Sequence, residues 1–292
     1  MTDILLKGLA REVNLRFVYV DVTQTAQELN RMHGNGRVAG NVLAEALAAA
    51  ALVSADAGKP DEAYSLQLNC DGAVAGFQVE AMGAGTLRGY TRKKSLKQLD
   101  RATEPPVAKV MGGSGILNVT VSTTEKVVYS GQVDASPPEV RGTVARYYNQ
   151  SLQVPTGVEV VVVSDPKQVR FARAIVAQKM PDGETEVFVK VLEAFNDGRV
   201  KKHLQDYKPE ADAWSVFTGI EVETTDSRPL SFGCRCSEER ALASLASLTA
   251  EEIAASIDDS GSQEVTCHMC SSVYEFDEQV LLELLIQKNR PS

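Results

Sequence analysis

Four of the five cysteines in this 292-residue chain fall in two close pairs: Cys234-Arg235-Cys236, thirty intervening residues, then Cys267-His268-Met269-Cys270. Thiolate sulfur is a donor zinc favours, and two such pairs brought together by a fold supply tetrahedral coordination for one ion. Cys234, Cys236, Cys267 and Cys270 are therefore the candidate metal ligands. Their spacing has a second consequence. A disulfide inside either pair closes a loop of a few residues and cross-links nothing distant. Oxidation there would cost the site its ion and put no comparable staple in its place. A structural zinc ion supplies about 10–16 kcal/mol of apparent binding energy, and a unit of about 60 residues has little other stability. The residues alone thus allow two readings: a purely structural zinc site, or one that oxidation converts from folded to unfolded.

Other residues with chemical potential are weaker candidates. His268 lies between two cysteines that already complete a ligand set, so it reads as a neighbour of the site. A thioredoxin-type role for Cys267 and Cys270 needs a helix N-terminus, whereas Ser271 to Phe276 reads as strand. Cys70 stands alone at the end of a strand and reads as a small packed residue. His33, His203 and His268 are widely spaced with no nucleophile motif beside them. Met111-Gly112-Gly113-Ser114-Gly115 lacks the Gly-Lys-Ser/Thr of a phosphate-binding loop and reads as a turn into the strand at Ile116. No enzyme is predicted.

The elements that must position the cysteines read as an α+β chain. Strands are predicted at Phe17–Val22, at a hairpin of Tyr64–Leu68 and Ala75–Val79 around Asp71-Gly72, and at Leu87–Thr91, Ile116–Val121, Val127–Val133 and Val158–Val163. Helices are predicted at Thr23–Met32, Asn41–Val53 and Pro137–Leu152. Together, residues 1–181 form a mixed α/β core with a largely antiparallel sheet. The turn Pro181-Asp182-Gly183 opens a connector, 182–232. It holds a helix over Glu184–Phe195 with Val187, Val191, Leu192 and Phe195 on one face, a charged stretch rich in breakers from Asn196 to Pro209, then Trp214 and Phe217, and a strand at Ile220–Glu223. The connector has apolar faces but too few residues for a core of its own, so it is expected to pack on the preceding sheet. Residues 233–292 form the small zinc unit. Ser237 caps one helix, Thr249-Ala250-Glu251-Glu252 is a capping box for a second, and Asp259-Ser260-Gly261 turns the chain between strands at Glu264–Thr266 and Val273–Phe276. An amphipathic helix follows over Asp277–Ile286.

Net charge is −9, and the last 60 residues hold eleven acids against four bases, or −7 of it. That balance counts against nucleic acid or an anionic membrane as the main partner, and against a nucleic-acid-binding zinc ribbon. The apolar run Val42–Val53 carries Glu45 and is expected to be too short to cross a bilayer. Met1 to Lys7 has neither a basic region with an apolar stretch nor an Arg-rich composition, so no secretory or transit signal is predicted. A cytoplasmic, reducing location follows, which also disfavours structural disulfides.

The cysteine block, including Cys236-Ser237-Glu238-Glu239-Arg240, resembles that of the heat shock protein 33 family of redox-regulated holdase chaperones. Asn41 to Leu47, Leu66-Gln67-Leu68 before Asp71-Gly72, Arg88-Gly89-Tyr90, Tyr129-Ser130-Gly131 and Tyr148-Asn149-Gln150-Ser151 extend the likeness over nearly the whole chain. The resemblance implies a stress-response chaperone, inactive when reduced, with one zinc on Cys234, Cys236, Cys267 and Cys270. It implies that peroxide or hypochlorite, with heat or another unfolding stress, forms Cys267–Cys270 first and Cys234–Cys236 second, releasing zinc. The zinc unit and connector then unfold, and the protein, as a homodimer, holds unfolding clients without ATP. Val187, Val191, Phe195, Trp214 and Phe217 are the connector candidates for client contact. The alternative is a structural zinc ribbon without redox switching.

Overall fold

The protein, seen in a computed structural model, is described for residues 2–103, 105–208, 212–256 and 262–288. It divides into two compact units, Met1–Gly233 and Cys234–Ser292. The expected turn at Asp259-Ser260-Gly261, and Pro209 in the charged stretch, lie outside the described residues.

The first unit contains two sheets. Its strands are β1 (Ile4–Ala10), β2 (Leu15–Asp21), β3 (Ala63–Cys70), β4 (Gly76–Met82), β5 (Thr86–Thr91), β6 (Gly115–Ser122), β7 (Val127–Asp134), β8 (Thr156–Ser164), β9 (Val169–Lys179), β10 (Glu223–Pro229) and β11 (Ser231–Phe232). The first sheet has the order β10-β1-β2-β9-β8 and the second β11-β5-β4-β3-β6-β7. All pairs are antiparallel except β11 with β5. Where the sequence predicts one largely antiparallel sheet, there are two.

Helix α1 (Thr23–His33) ends at Gly34, which supplies the left-handed residue that closes a helix C-terminus. The next helix, α2 (Arg37–Val53), packs against β2, β8 and β9 of one sheet and β3, β4 and β5 of the other. Being covered on both sides explains why fourteen of its seventeen residues are buried. With the 3₁₀ turn Ser54–Asp56 the run spans 20 residues, with an 18-residue stretch of mean hydropathy 1.7, long and apolar enough to cross a membrane, yet 89% of that stretch is buried inside the protein. The expected length is thus corrected, and the helix is the centre of the core.

Two short helices, α3 (Gln98–Arg101) and α4 (Val107–Val110), precede β6, and α5 (Val140–Arg146) continues into a π-helical turn at Tyr147–Ser151. The β3–β4 connection is longer than a tight hairpin turn. Asp71 accepts hydrogen bonds from the backbone of Gly113 and Ser114, 2.9 and 3.0 Å, and from the Ser114 hydroxyl. These bonds hold its carboxyl below the usual range.

Residues 185–208 and 212–220 cover the outer face of the first sheet. Helix α6 (Thr185–Asn196) is followed by α7 (Arg199–Asp206), a helix within the stretch read from sequence as charged breakers. Val200 and Leu204, four apart, are its buried face. Phe188, Val191, Phe195, Trp214 and Phe217 form one buried cluster with Leu15, Phe17, Tyr19, Ile175 and Ala177 of the sheet, and Val187 is half-buried against it. The Phe17 ring lies 4.7 Å from Phe217 and 6.1 Å from Trp214, centroid to centroid. Trp214 also donates its indole N–H to the Thr224 hydroxyl at 2.9 Å.

One polar anchor sits inside this packing. The Arg173 guanidinium, 8% exposed, pairs with Asp21 at 2.9 Å. It also donates to the carbonyls of Leu204 and Tyr207, 3.0 and 3.1 Å, beyond the end of the α7 ladder. Arg173→Ala would leave Asp21 buried without its cation and cost about 3–5 kcal/mol. Urea unfolding should show this as a lower midpoint at an unchanged slope; a loss below about 1 kcal/mol would place the pair with ordinary surface ones.

His203 on α7 lies 3.0 Å from the Ala213 carbonyl. Burial lowers its pKa, with the hydrogen bond to Ala213 opposing. The unfolded imidazole takes its proton near about pH 6.5 while the folded one resists it, so this group costs stability as pH falls below about 6.5. His203→Gln should flatten the decline in stability between about pH 7 and about pH 5. An unaltered profile would locate the acid sensitivity elsewhere.

Candidate metal centre

The second unit is small. Its elements are α8 (Glu238–Ala246), α9 (Ala250–Ser256), β12 (Gln263–Thr266), β13 (Val273–Phe276) and α10 (Glu278–Lys288), with β12 and β13 antiparallel. Ser237 caps α8, its hydroxyl accepting from the Arg240 N–H at 3.3 Å. Thr249 and Glu252 satisfy one another's backbone N–H groups at 2.8 and 3.2 Å, the reciprocal capping box. Ala241, Leu245, Ile253, Phe276, Leu281 and Leu284 are the buried cluster. That is a thin core for an independent unit.

The cysteines come from the two ends of this architecture. Cys234 and Cys236 precede α8 in a segment without regular secondary structure; Cys267 to Cys270 form the turn between β12 and β13. The turn is held by its own backbone. Cys267 N–H donates to the Ser272 carbonyl at 2.8 Å, and the N–H of Ser271, in the left-handed region at φ 61°, donates to the Cys267 carbonyl at 2.7 Å. No helix begins at Cys267, so the geometry of a thioredoxin-type nucleophile is not present there.

All four Sγ atoms lie within 4.8 Å of one another. Cys234 and Cys267 sulfurs are 3.8 Å apart, and Cys236 and Cys270 sulfurs 3.5 Å. A tetrahedral zinc site with Zn–S bonds of about 2.3 Å has its sulfurs about 3.8 Å apart. Bonded sulfurs would be about 2.05 Å apart, and all four cysteines are free thiols. Cys270 is buried and the other three are half-buried.

The electrostatics agree with a donor set built for a cation. Burial, aided by the neighbouring Cys270 and Cys234, pushes the Cys267 thiol up to about 12. Burial likewise raises Cys236, with Cys234 and Cys270 adding to it. Cys236 and Cys267 thus resist deprotonation unless a positive ion sits among the sulfurs, and a thiophilic dication meets that need. Two hydroxyls that sequence reasoning missed attend the site. Tyr274 donates to Cys236 Sγ at 3.1 Å, and the Ser272 hydroxyl lies 3.2 Å from Cys270 Sγ. The contact to Cys236 pushes the Tyr274 phenol up to about 12. Their signal was positional: both lie within four residues of Cys270, Ser272 just before β13 and Tyr274 on it.

Other candidates belong to the first unit. His33 and His203 bind backbone carbonyls of Gly89 and Ala213 in the first unit. Cys70 is half-buried at the end of β3, its thiol raised by burial. The connector residues Val187, Val191, Phe195, Trp214 and Phe217 belong to the sheet-covering cluster of the first unit.

A family model described as Hsp33 protein matches residues 3–277. The chain belongs to the Hsp33 family. Among curated relatives, the 33 kDa chaperonin of Deinococcus radiodurans is 30% identical, over 96% of this chain and 97% of its own. That of Geobacillus kaustophilus is 29% identical, over 97% and 98%. The crystal structure of the 33 kDa chaperonin of Thermotoga maritima shares the fold at a TM-score of 0.81, covering 99% of each chain at 24% identity. The expected α+β architecture of an Hsp33 chain is therefore the observed one, and the relatives carry the names of chaperones.

Proposed function

We propose that this protein is a redox-regulated, ATP-independent holdase with no enzymatic activity of its own, working in the cytoplasm. In the reduced state Cys234, Cys236, Cys267 and Cys270 hold one zinc ion, and residues 182–232 stay packed on the 1–181 core. The observation that carries this reading is the tetrahedral spacing of four sulfurs in a unit whose buried cluster holds six of its described residues. The ion supplies the cross-link that the apolar core cannot.

Peroxide is one oxidant that meets this reading, and hypochlorite is another. One thiolate takes an oxygen from peroxide to give a sulfenic acid and release water, and the partner thiolate displaces a second water to form the disulfide. Two thiols and one peroxide thus give one disulfide and two waters. The pairing is Cys267–Cys270 and then Cys234–Cys236, consuming two peroxides. Sulfurs so joined are no longer thiolate ligands, and loops this short leave the unit without a staple. The connector then exposes Val187, Val191, Phe195, Trp214 and Phe217 to unfolding clients, and the active form is a homodimer. A structural zinc ribbon would keep its ion and its surface under the same conditions.

The distinguishing assay is aggregation of a heat-unfolding client. Reduced protein should leave aggregation unchanged, and protein treated with peroxide at elevated temperature should suppress it without ATP. Equal activity in both states would favour the structural ribbon.

A further inference from the structure

The net charge of −9 conceals an opposite local balance. Residues 89–111 hold six cations (Arg92, Lys93, Lys94, Lys97, Arg101 and Lys109) against two acids, Asp100 and Glu104. That segment therefore carries +4 (6 − 2) and the rest of the chain −13 (24 bases against 37 acids), which sum to −9.

Backbone bonds gather these cations at one end of the second sheet. Arg92 N–H donates to the Gly76 carbonyl, and Ala73 N–H donates to the Lys109 carbonyl, so both flank the β3–β4 connection. Arg92 also reaches Asn69 at 2.6 Å. Gly36 N–H donates to the Lys94 carbonyl, fixing the 93–97 loop against the start of α2. All six cations are exposed. Asp100 is turned inward, accepting from Val38 N–H at 2.9 Å and Leu96 N–H at 2.8 Å. Asp71, at the same end, faces the backbone of Gly113 and Ser114. Among the described residues, no ion pair involves Lys93, Lys97, Arg101 or Lys109.

Like charges held together repel, and Lys93, Lys97, Arg101 and Lys109, in no ion pair among the described residues, call for an anion on this acidic protein. The segment offers point charges on long stems and no exposed aromatic ring on which a base could stack. We propose that this end of the first unit binds a linear chain of phosphate groups, reading charge and spacing rather than sequence. Such a chain is available as an RNA backbone or as inorganic polyphosphate. The site lies outside the cysteine unit and does not depend on the redox reading.

The test uses the full-length reduced protein and a fluorescein-labelled 20-residue polyuridylate. Binding should be measurable in about 50 mM salt and fall linearly on a logarithmic salt axis, at about 0.7 per phosphate neutralised. Lys93→Glu/Lys97→Glu/Lys109→Glu should weaken it at least tenfold and reduce the slope by about 2. Lys59→Glu/Lys126→Glu/Lys167→Glu, with the same change of net charge elsewhere, should change it less than threefold. Unlabelled polyphosphate displacing the RNA at equal phosphate concentration identifies phosphate alone as what is read; failure to displace it assigns the site to the RNA backbone. No binding in low salt, equal losses in both triple variants, or equal displacement by polyglutamate would overturn the proposal. A matching circular dichroism spectrum confirms that each variant is folded.

Discussion

Reduced Cys270→Ser protein should carry less than about a tenth of the zinc bound by the unaltered chain, and its second unit should unfold while the core ahead of the connector stays folded. Cys270 is 1% exposed and sits in the turn between the two strands of that unit. Its loss leaves three sulfurs around a site dimensioned for four. The binding energy at stake, about 10–16 kcal/mol, exceeds the whole stability of a domain this small, about 5 kcal/mol. A core with six buried apolar residues among those described cannot replace it. Metal per chain and limited proteolysis report the two halves of the prediction. Cleavage should appear after residue 233 and then within the released connector, leaving the core ahead of it as the resistant fragment. Full zinc and an undigested second unit would show that three thiolates and the apolar core suffice.

Trp214→Ala should release the connector without touching the metal. The indole is 3% exposed, contacts Phe17 and bonds Thr224, and the Gly8 backbone lies against its ring. Emptying a site of that size costs about 3–5 kcal/mol. In a unit of this length each kcal/mol is worth about 2–4 °C, so the first melting transition should fall by about 6–20 °C. On the proposed mechanism the variant should also suppress client aggregation without oxidant while retaining one zinc per chain. Suppression that still required peroxide would separate connector packing from client binding. The unaltered protein gives a companion signal: Trp214 is the only tryptophan, and its emission should move to the red on activation.

How far the sequence could be read depended on whether local pattern or tertiary cover decided each element. The cysteines, the Ser237 cap, the Thr249–Glu252 capping box and the β12–β13 strands were legible because each is a short-range device with its own chemistry. The helix at Arg37–Val53 was legible as buried, though not in its full length, because burial by two sheets removes the polar face that marks a helix end. No element was assigned over Val169–Lys179, and it is a central strand. Covered by α2 on one face and by the connector on the other, it lacks the alternation of a half-exposed strand, and Arg173 interrupts its apolar run to serve a distant ion pair. Ile4–Ala10 was likewise left without an element, and the strand expected at Ile220–Glu223 begins only at Glu223 and runs through exposed polar residues to Pro229. Its pairing with β1, more than 200 residues away, gives that edge strand its place. Tyr274 could not be read as a partner of Cys236 because only the fold brings residues 236 and 274 within reach.

The central claim is that the four thiols that hold the ion are also the sensor. It is tested most directly by following zinc and thiols together, with a chromogenic chelator and a thiol count, as reduced protein meets peroxide at elevated temperature. The account predicts one zinc released per chain in step with the loss of four thiols, leaving Cys70 as the one that still reacts once the protein is unfolded. Zinc retained while thiols disappear, or zinc released with all five thiols intact, would contradict it.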